Sequence, residues 1–178
     1  MAEGEETHQR NRRDSQVCTS EDAWNAPPST WFKANWDGAV DRAKGQIRIG
    51  VIIRDCNGQV IATMRDKKQM FADPLLAESY GALAAAQLAL DLGLQRIVLE
   101  GDSLQVTKTL QEEKEAWSCA SMIMSETRTC LKHFAKWDVS HVRRNGNKIA
   151  HLLAKIALTI SELIVTMEDS PSWIYPLL

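Results

Sequence analysis

The chain has 178 residues, 44% apolar and 25% charged, with a formal net charge of −2. That length suits one domain with a sizeable core. The near-neutral balance excludes a protein that coats nucleic acid through bulk charge, so any polyanion must be met by a local basic patch or by metal ions. No window reaches the ~18 apolar residues of a membrane span.

Residues 1–29 are polar and charged, and Pro27 and Pro28 punctuate their end. They read as a disordered tail. They hold no apolar core like that of a secretory signal, which points to an intracellular protein, nuclear or cytoplasmic and not secreted. The basic run "RNRR", Arg10 to Arg13, reads either as a nuclear address or as part of that solvated tail. Four cysteines, Cys18, Cys56, Cys119 and Cys130, show neither CxxC pairing nor zinc spacing and are expected to be reduced.

The folded part starts near Trp31. Three strand-like runs follow: "WFKANWDGAV", "QIRIGVIIR" and "QVIATMR". Asn-Gly in the connection "DCNGQ" is a hairpin signal between the second and third. Next, "DPLLAESYGALAAAQLALDLGL" is rich in alanine and leucine, with Pro74 near its first turn, and predicts a long helix ending around Gly93. "QRIVLEGDS" reads as a short strand, "SLQVTKTLQ" as a short helix and residues 119–134 as another. "KWDVSHV" reads as a strand, and "NKIAHLLAKIALTI" as an amphipathic helix with Asn147 as N-cap. The tail "MEDSPSWIYPLL" reads as irregular. The order β-β-β-α-β-α-α-β-α implies an α/β fold, a mixed sheet with helices packed on it. The units are a folded domain over residues 30–160 and an extension over 161–178 that packs on it.

Three carboxylates stand out. Asp37 is expected at the end of the first strand, Glu78 in the first turn of the long helix, and Asp102 just past the fourth strand. Each has a local explanation. Asp37 before Gly38 suits a turn, Glu78 suits the helix dipole, and Asp102 with Ser103 suits an N-cap. If the first and fourth strands are neighbours, however, Asp37 and Asp102 come side by side and Glu78 leans over both. Three clustered acids need a cation, and oxygen donors suit Mg²⁺ or Mn²⁺. Such a site fits two-metal phosphodiester hydrolysis.

Four stretches, "WFKANWDGAV", "LLAESYGALAAAQLAL", "RIVLEGDSLQV" and "SHVRRNGNKIAHLLAK", resemble in order the ribonuclease H fold, over about residues 27 to 178. The closest likeness is to plant ribonuclease H-like domains related to those of non-LTR retrotransposons. The resemblance implies a five-stranded mixed sheet and an endonuclease that cuts the RNA strand of RNA–DNA hybrids, reading 2′-hydroxyls without base specificity. It implies that Asp37, Glu78 and Asp102 bind up to two Mg²⁺ or Mn²⁺ ions and carry catalysis. His141 matches a loop histidine thought to help release product or move protons, and Asn147 a substrate-contacting asparagine. Where that family carries a fourth metal-site aspartate, this chain has His151. Imidazole suits softer ions than Mg²⁺, so weaker binding at one metal position and a preference for Mn²⁺ are expected. The other reading of His151 is a solvated residue beside Lys148 and Lys155.

Arg143, Arg144 and Lys148, with Arg42 and Lys44, are candidate phosphate contacts or ordinary loop charges. Gly38 is a candidate for close approach to nucleic acid, or a turn residue. "QEEKEAWSCA" is acidic where some ribonucleases H carry a basic substrate handle, so affinity for hybrid should be modest and salt-dependent. Trp36, Trp117 and Trp137 read as core or near-core packing, and Trp173 as folding back on the domain. A monomer is expected. The alternative to a nuclease is a weakened or inactive module that binds nucleic acid or protein.

Overall fold

The computed structural model describes residues 23–112, 117–168, 172 and 174–178. "RNRR", Cys18, Trp173 and the middle of the acidic stretch lie outside the described residues.

Among the described residues the sheet has six strands, in the order β5-β4-β1-β2-β3-β6. They are β1 (Phe32–Asp41), β2 (Gln46–Arg54), β3 (Val60–Gln69), β4 (Arg96–Gly101), β5 (Lys136–His141) and β6 (Ile164–Met167). The first three form an antiparallel meander, and β4 and β5 add in parallel on the other side of β1. The expected five strands are therefore present. The sixth lies in the stretch read as an extension, and it pairs antiparallel with the edge of β3. Its alternation of half-buried Ile164 and Thr166 with exposed Val165 and Met167 spans only four residues, too short for a periodic signal.

The Asn57–Gly58 connection behaves as its sequence asks. Gly58 has φ +80°, and Asp55 Oδ1 accepts from the N–H groups of Asn57 and Gln59, both at 2.8 Å. Helix α1 (Pro74–Asp91) starts at Asp73, whose side chain accepts from the Leu76 N–H at 2.8 Å. Its chain reverses at Gly93, with φ +70°. Helices α2 (Leu104–Gln111) and α3 (Cys119–Leu131) are capped by Ser103 and Ser118. Helix α4 (Lys148–Ile156) follows a 3-10 turn over Arg144–Asn147.

The main core lies between the sheet and α1 with α3. Ala34, Trp36, Ile49, Val51 and Leu99 pack there with Ala82, Ala85, Ala86 and Leu131. A smaller cluster under α4 joins Ile52, Ile149, Ala150, Leu153 and Ile174. Trp36 is fully buried, as expected, but Trp117 is fully exposed and Trp137 is 41% exposed. Trp117 follows the acidic stretch in the loop before α3, and Trp137 lies on the edge strand β5, where only one neighbour covers it. Among the described residues, no helix is long and apolar enough to cross a membrane.

Two glycines set how the helices seat. A Cβ on Gly50 of β2 would overlap backbone atoms of Ala150 and Ala154 in α4. A Cβ on Gly38 of β1 would overlap the backbone of Ala77 and Glu78 in α1. Gly50→Ala is expected to destabilise the fold by about 1–3 kcal/mol, because neither contact is with a flexible side chain. A lowered urea midpoint at unchanged m-value checks this.

The face of the sheet opposite α1 carries a buried polar network. Lys33 and Asn35 of β1 hold the Glu100 carboxylate at 2.8 and 2.9 Å, and Ser140 of β5 donates to it at 2.9 Å. Arg54 and the Trp24 indole both donate to Asn35 Oδ1, at 3.0 and 2.9 Å. The Arg54 guanidinium stacks 3.7 Å from the centroid of the Trp24 ring. Ordered packing thus begins at least seven residues before Trp31, where the folded part was expected to start.

Candidate active site

Alternation along β1 sends Trp36 into the α1 core and Asp37 to the opposite face. Trp36 pairs with Gly101, the last residue of β4. The next step in that parallel register sets Asp37 beside Asp102. Asp37 is not at the strand's end but in its middle, opposite Gly50 of β2. Glu78 is not in the first turn of α1, which holds no acid. It lies one turn further in, where the contact of Gly38 with Ala77 and Glu78 brings the helix backbone onto β1. Ser103, not Asp102, caps α2, which leaves the Asp102 carboxylate for the cluster.

One carboxylate oxygen from each of Asp37, Glu78 and Asp102 lies within 4.8 Å of the others. The electrostatics follow from that crowding. Burial first, and the Asp102 charge second, raise the Asp37 carboxyl to about 6 against the pull of His151 and Arg144. Burial, then Asp37 and Asp102, push Glu78 to about 8, although the Gly38 amide and the Trp36 indole draw it down. Glu78 Oε2 and Trp36 Nε1 are both buried without a partner in hydrogen-bond geometry. A buried acceptor with nothing to accept from costs about 1–3 kcal/mol. Oxygen donors, mutual repulsion and that orphaned oxygen together fit a hard divalent cation.

Among the described residues, the ligand atoms grouped within 4.8 Å come from the three acids, and His151 stands beside that group. From the first turn of α4 its Nδ1 lies 3.1 Å from Asp37 Oδ2. The Arg144 Nη2 lies 3.0 Å from its Nε2 and 2.9 Å from its Nδ1. The consistent tautomer has Nδ1–H donating to Asp37 and Nε2 accepting from Arg144. The expected metal ligand is therefore engaged at both nitrogens. Nor is it merely solvated beside Lys148 and Lys155, since it touches the most buried acid of the cluster.

Asn147 starts α4 without capping it through its side chain. Its Nδ2 donates instead to the Trp36 carbonyl at 2.7 Å and to Asp102 Oδ1 at 3.0 Å. It fixes the Asp102 carboxylate, and it is itself 1% exposed. At Gly38, expected to contact nucleic acid, α1 fills the space beside the Cα. His141, ending β5 in register with Gly101, is exposed at the rim, with Nε2 3.3 Å from the Asp102 carbonyl. Arg144 Nη1 is 3.8 Å from Asp102 Oδ2, and Arg143 is exposed just before the same turn. The link from Arg144 to His151 escaped the sequence reading. A spacing of seven residues, two helical turns, was its one local signal.

A profile of reverse transcriptase-like proteins matches residues 35–157, which include all three acids. The chain belongs to the reverse transcriptase-like family. Among curated relatives, this family member is 31% identical over 129 residues to ribonuclease HI of Halobacterium salinarum, covering 70% of this chain and 63% of that protein's length. The chain thus spans less than two thirds of that relative. Among solved structures, ribonuclease H1 of the same halophilic archaeon superposes with a TM-score of 0.67 at 29% identity, covering 72% of this chain and 97% of that one. The N-terminal ribonuclease H domain of a Mycobacterium tuberculosis protein gives 0.66 at 19% identity, covering 73% and 94%. A ribonuclease H1 isolated from compost, solved with an RNA/DNA hybrid, gives 0.60 at 14% identity, covering 72% and 99%. The last two bear on the fold alone, and that fold is ribonuclease H-like.

Proposed function

We propose that this reverse transcriptase-like family member is a metal-dependent endonuclease that hydrolyses the RNA strand of RNA–DNA hybrids. The observation that carries the reading is the convergence of Asp37, Glu78 and Asp102 to within 4.8 Å at the switch between the antiparallel and parallel halves of the sheet. The similarity to ribonuclease HI supports the substrate class. The order of the four sequence motifs favours the plant, retrotransposon-related branch.

When bound, a divalent ion such as Mg²⁺ or Mn²⁺ supplies an activated water and charge neutralisation at the phosphate. Asp37, Glu78 and Asp102 would hold it. Asn147 keeps Asp102 oriented through a neutral, buried donor, and Trp36 closes the floor beneath Glu78. His141, exposed at the rim, is placed to exchange protons with solvent as product leaves. In the net reaction a water oxygen bonds to phosphorus, the bond from phosphorus to the 3′ oxygen breaks, and that oxygen takes a proton. The products carry 5′-phosphate and 3′-hydroxyl ends.

The test incubates the full chain with labelled RNA–DNA hybrid in Mg²⁺ and separately in Mn²⁺, beside Asp102→Asn. RNA-strand cleavage that is lost in the variant is the expected result. Tight hybrid binding with no cleavage in either metal overturns it. That outcome favours the binding module, which His151 tied to Asp37 and Arg144 would then explain.

A further inference from the structure

We propose that this site takes a single divalent ion and that the Arg144 guanidinium serves as its second cation. The inference rests on the nuclease reading of the same three acids.

A second metal position needs a further donor at the mouth of the cluster. The residue standing there, His151, offers none. Its Nδ1 lies 3.1 Å from Asp37 Oδ2, and Arg144 Nη2 lies 2.9 Å from Nδ1 and 3.0 Å from Nε2. The guanidinium thus stands where an ion would approach either ring nitrogen. Asp102 already has a neighbour at each oxygen: Oδ1 accepts from Asn147 at 3.0 Å, and Oδ2 faces Arg144 Nη1 at 3.8 Å, which leaves lone pairs for one ion among the three acids. The guanidinium therefore bridges Asp102 and His151, and His151 hands its influence on to Asp37. Among the described residues the cluster of possible ligands stops at the three carboxylates.

The consequence is electrostatic. A permanently charged group spans the mouth where a second ion would sit, and like charges a few ångström apart repel even where solvent partly screens them. Metal ions come and go with concentration, whereas Arg144 stays attached to the chain. Its side chain is 65% exposed. Nη1 is turned to Asp102 and Nη2 to His151. The guanidinium has five N–H groups, so those not facing these two residues remain for the oxygens of a phosphodiester. Arg144 is thus a positioning group for the phosphate as well as a counter-charge for the acids.

The experiment titrates the full chain with Mn²⁺ in the presence of a 2′-O-methyl RNA–DNA duplex, which resists cleavage, and reads electron paramagnetic resonance against the duplex alone. Two ions bridged by one carboxylate give a spin-coupled spectrum; one gives an isolated signal. The parent is expected to bind one isolated ion per chain, and the double variant Arg144→Ala/His151→Asp a coupled pair. Arg144→Ala alone is expected to bind Mn²⁺ about five- to tenfold more tightly, because a positive charge has left the cluster. The same variant should cut unmodified hybrid at least about tenfold more slowly, with Arg144→Lys recovering part of the rate. A residue with only a structural role would not move binding and cleavage in opposite directions. A coupled pair in the parent overturns the inference and leaves the nuclease reading intact. Isolated ions in the double variant, or weaker binding in Arg144→Ala, overturn the roles given to these two residues. No bound Mn²⁺ in the parent overturns the nuclease reading and this inference together.

Discussion

Replacing Asp37 by Asn is expected to abolish Mn²⁺ binding and lower hybrid cleavage by about a thousandfold or more, while making the metal-free protein more stable at pH 8. The two effects have one cause. Asp37 is 2% exposed and shares its space with Asp102 and Glu78. Its carboxyl titrates near 6 in the fold instead of at the ordinary value of 3.8. Holding it ionised therefore works against folding at pH 8, by about 1–3 kcal/mol. Asparagine keeps the shape and an acceptor for the His151 Nδ1–H but carries no charge. Circular-dichroism melts at pH 8 in chelator should show the variant melting higher than the parent. A lower melting temperature, with metal binding retained, would mean that Asp37 is a packing residue and that the acids do not form a cation site.

The second large effect is the pH dependence of metal binding. Glu78 titrates near 8 and Asp37 near 6 in the metal-free fold. An ion must displace those protons. Apparent affinity for Mn²⁺ should rise about tenfold per pH unit between 6 and 8 as Glu78 gives up its proton, more steeply below 6 where Asp37 also competes, and flatten above 8. Stability of the metal-free chain runs the other way. Both carboxyls have folded-state values above their unfolded ones, 3.8 for Asp37 and 4.5 for Glu78. The native state therefore holds more protons across that range. Their contribution is fully present below about pH 4 and is lost as pH rises through 6 and then 8. Calorimetric titration at a series of pH values in two buffers of different ionisation enthalpy reads the proton release directly. An affinity that does not change between pH 6 and 8 would remove Glu78 from the ligand set.

Much of this was legible along the chain. Polar residues at Lys33, Asn35 and Asp37, alternating with Ala34 and Trp36, mark a strand with one apolar and one polar face. Asn57–Gly58 marked its hairpin, and the alanine-rich run from Pro74 marked α1. Local chemistry writes such elements, since a turn needs a positive φ at glycine and a helix needs a face without branches. The three acids were legible as candidates because each was expected near the end of an element, although Asp37 and Glu78 lie further in. The sixth strand was not, because four residues carry too little periodicity and its partner, β3, is a hundred residues away. The exposure of Trp117 was not either, since a tryptophan's burial depends on which surfaces arrive to cover it.

The sequence by itself determined the first five strands, helices α1 to α4, the mixed sheet and the identity of the three carboxylates, since these follow from side-chain period, turn residues and the chemistry of acids. Only the tertiary structure decided what His151, Arg144, Asn147 and Gly38 do. His151 was expected to ligate metal, and it donates to Asp37. Asn147 was expected to cap or touch substrate, and it fixes Asp102. Gly38 was expected to admit a ligand, and it admits α1. The reason is that a polar group's role is set by the partners within about 3 Å of it. Those partners lie 39 and 40 positions away for Gly38, 45 and 111 for Asn147, and 114 for His151 with Asp37, although its other partner, Arg144, is seven away.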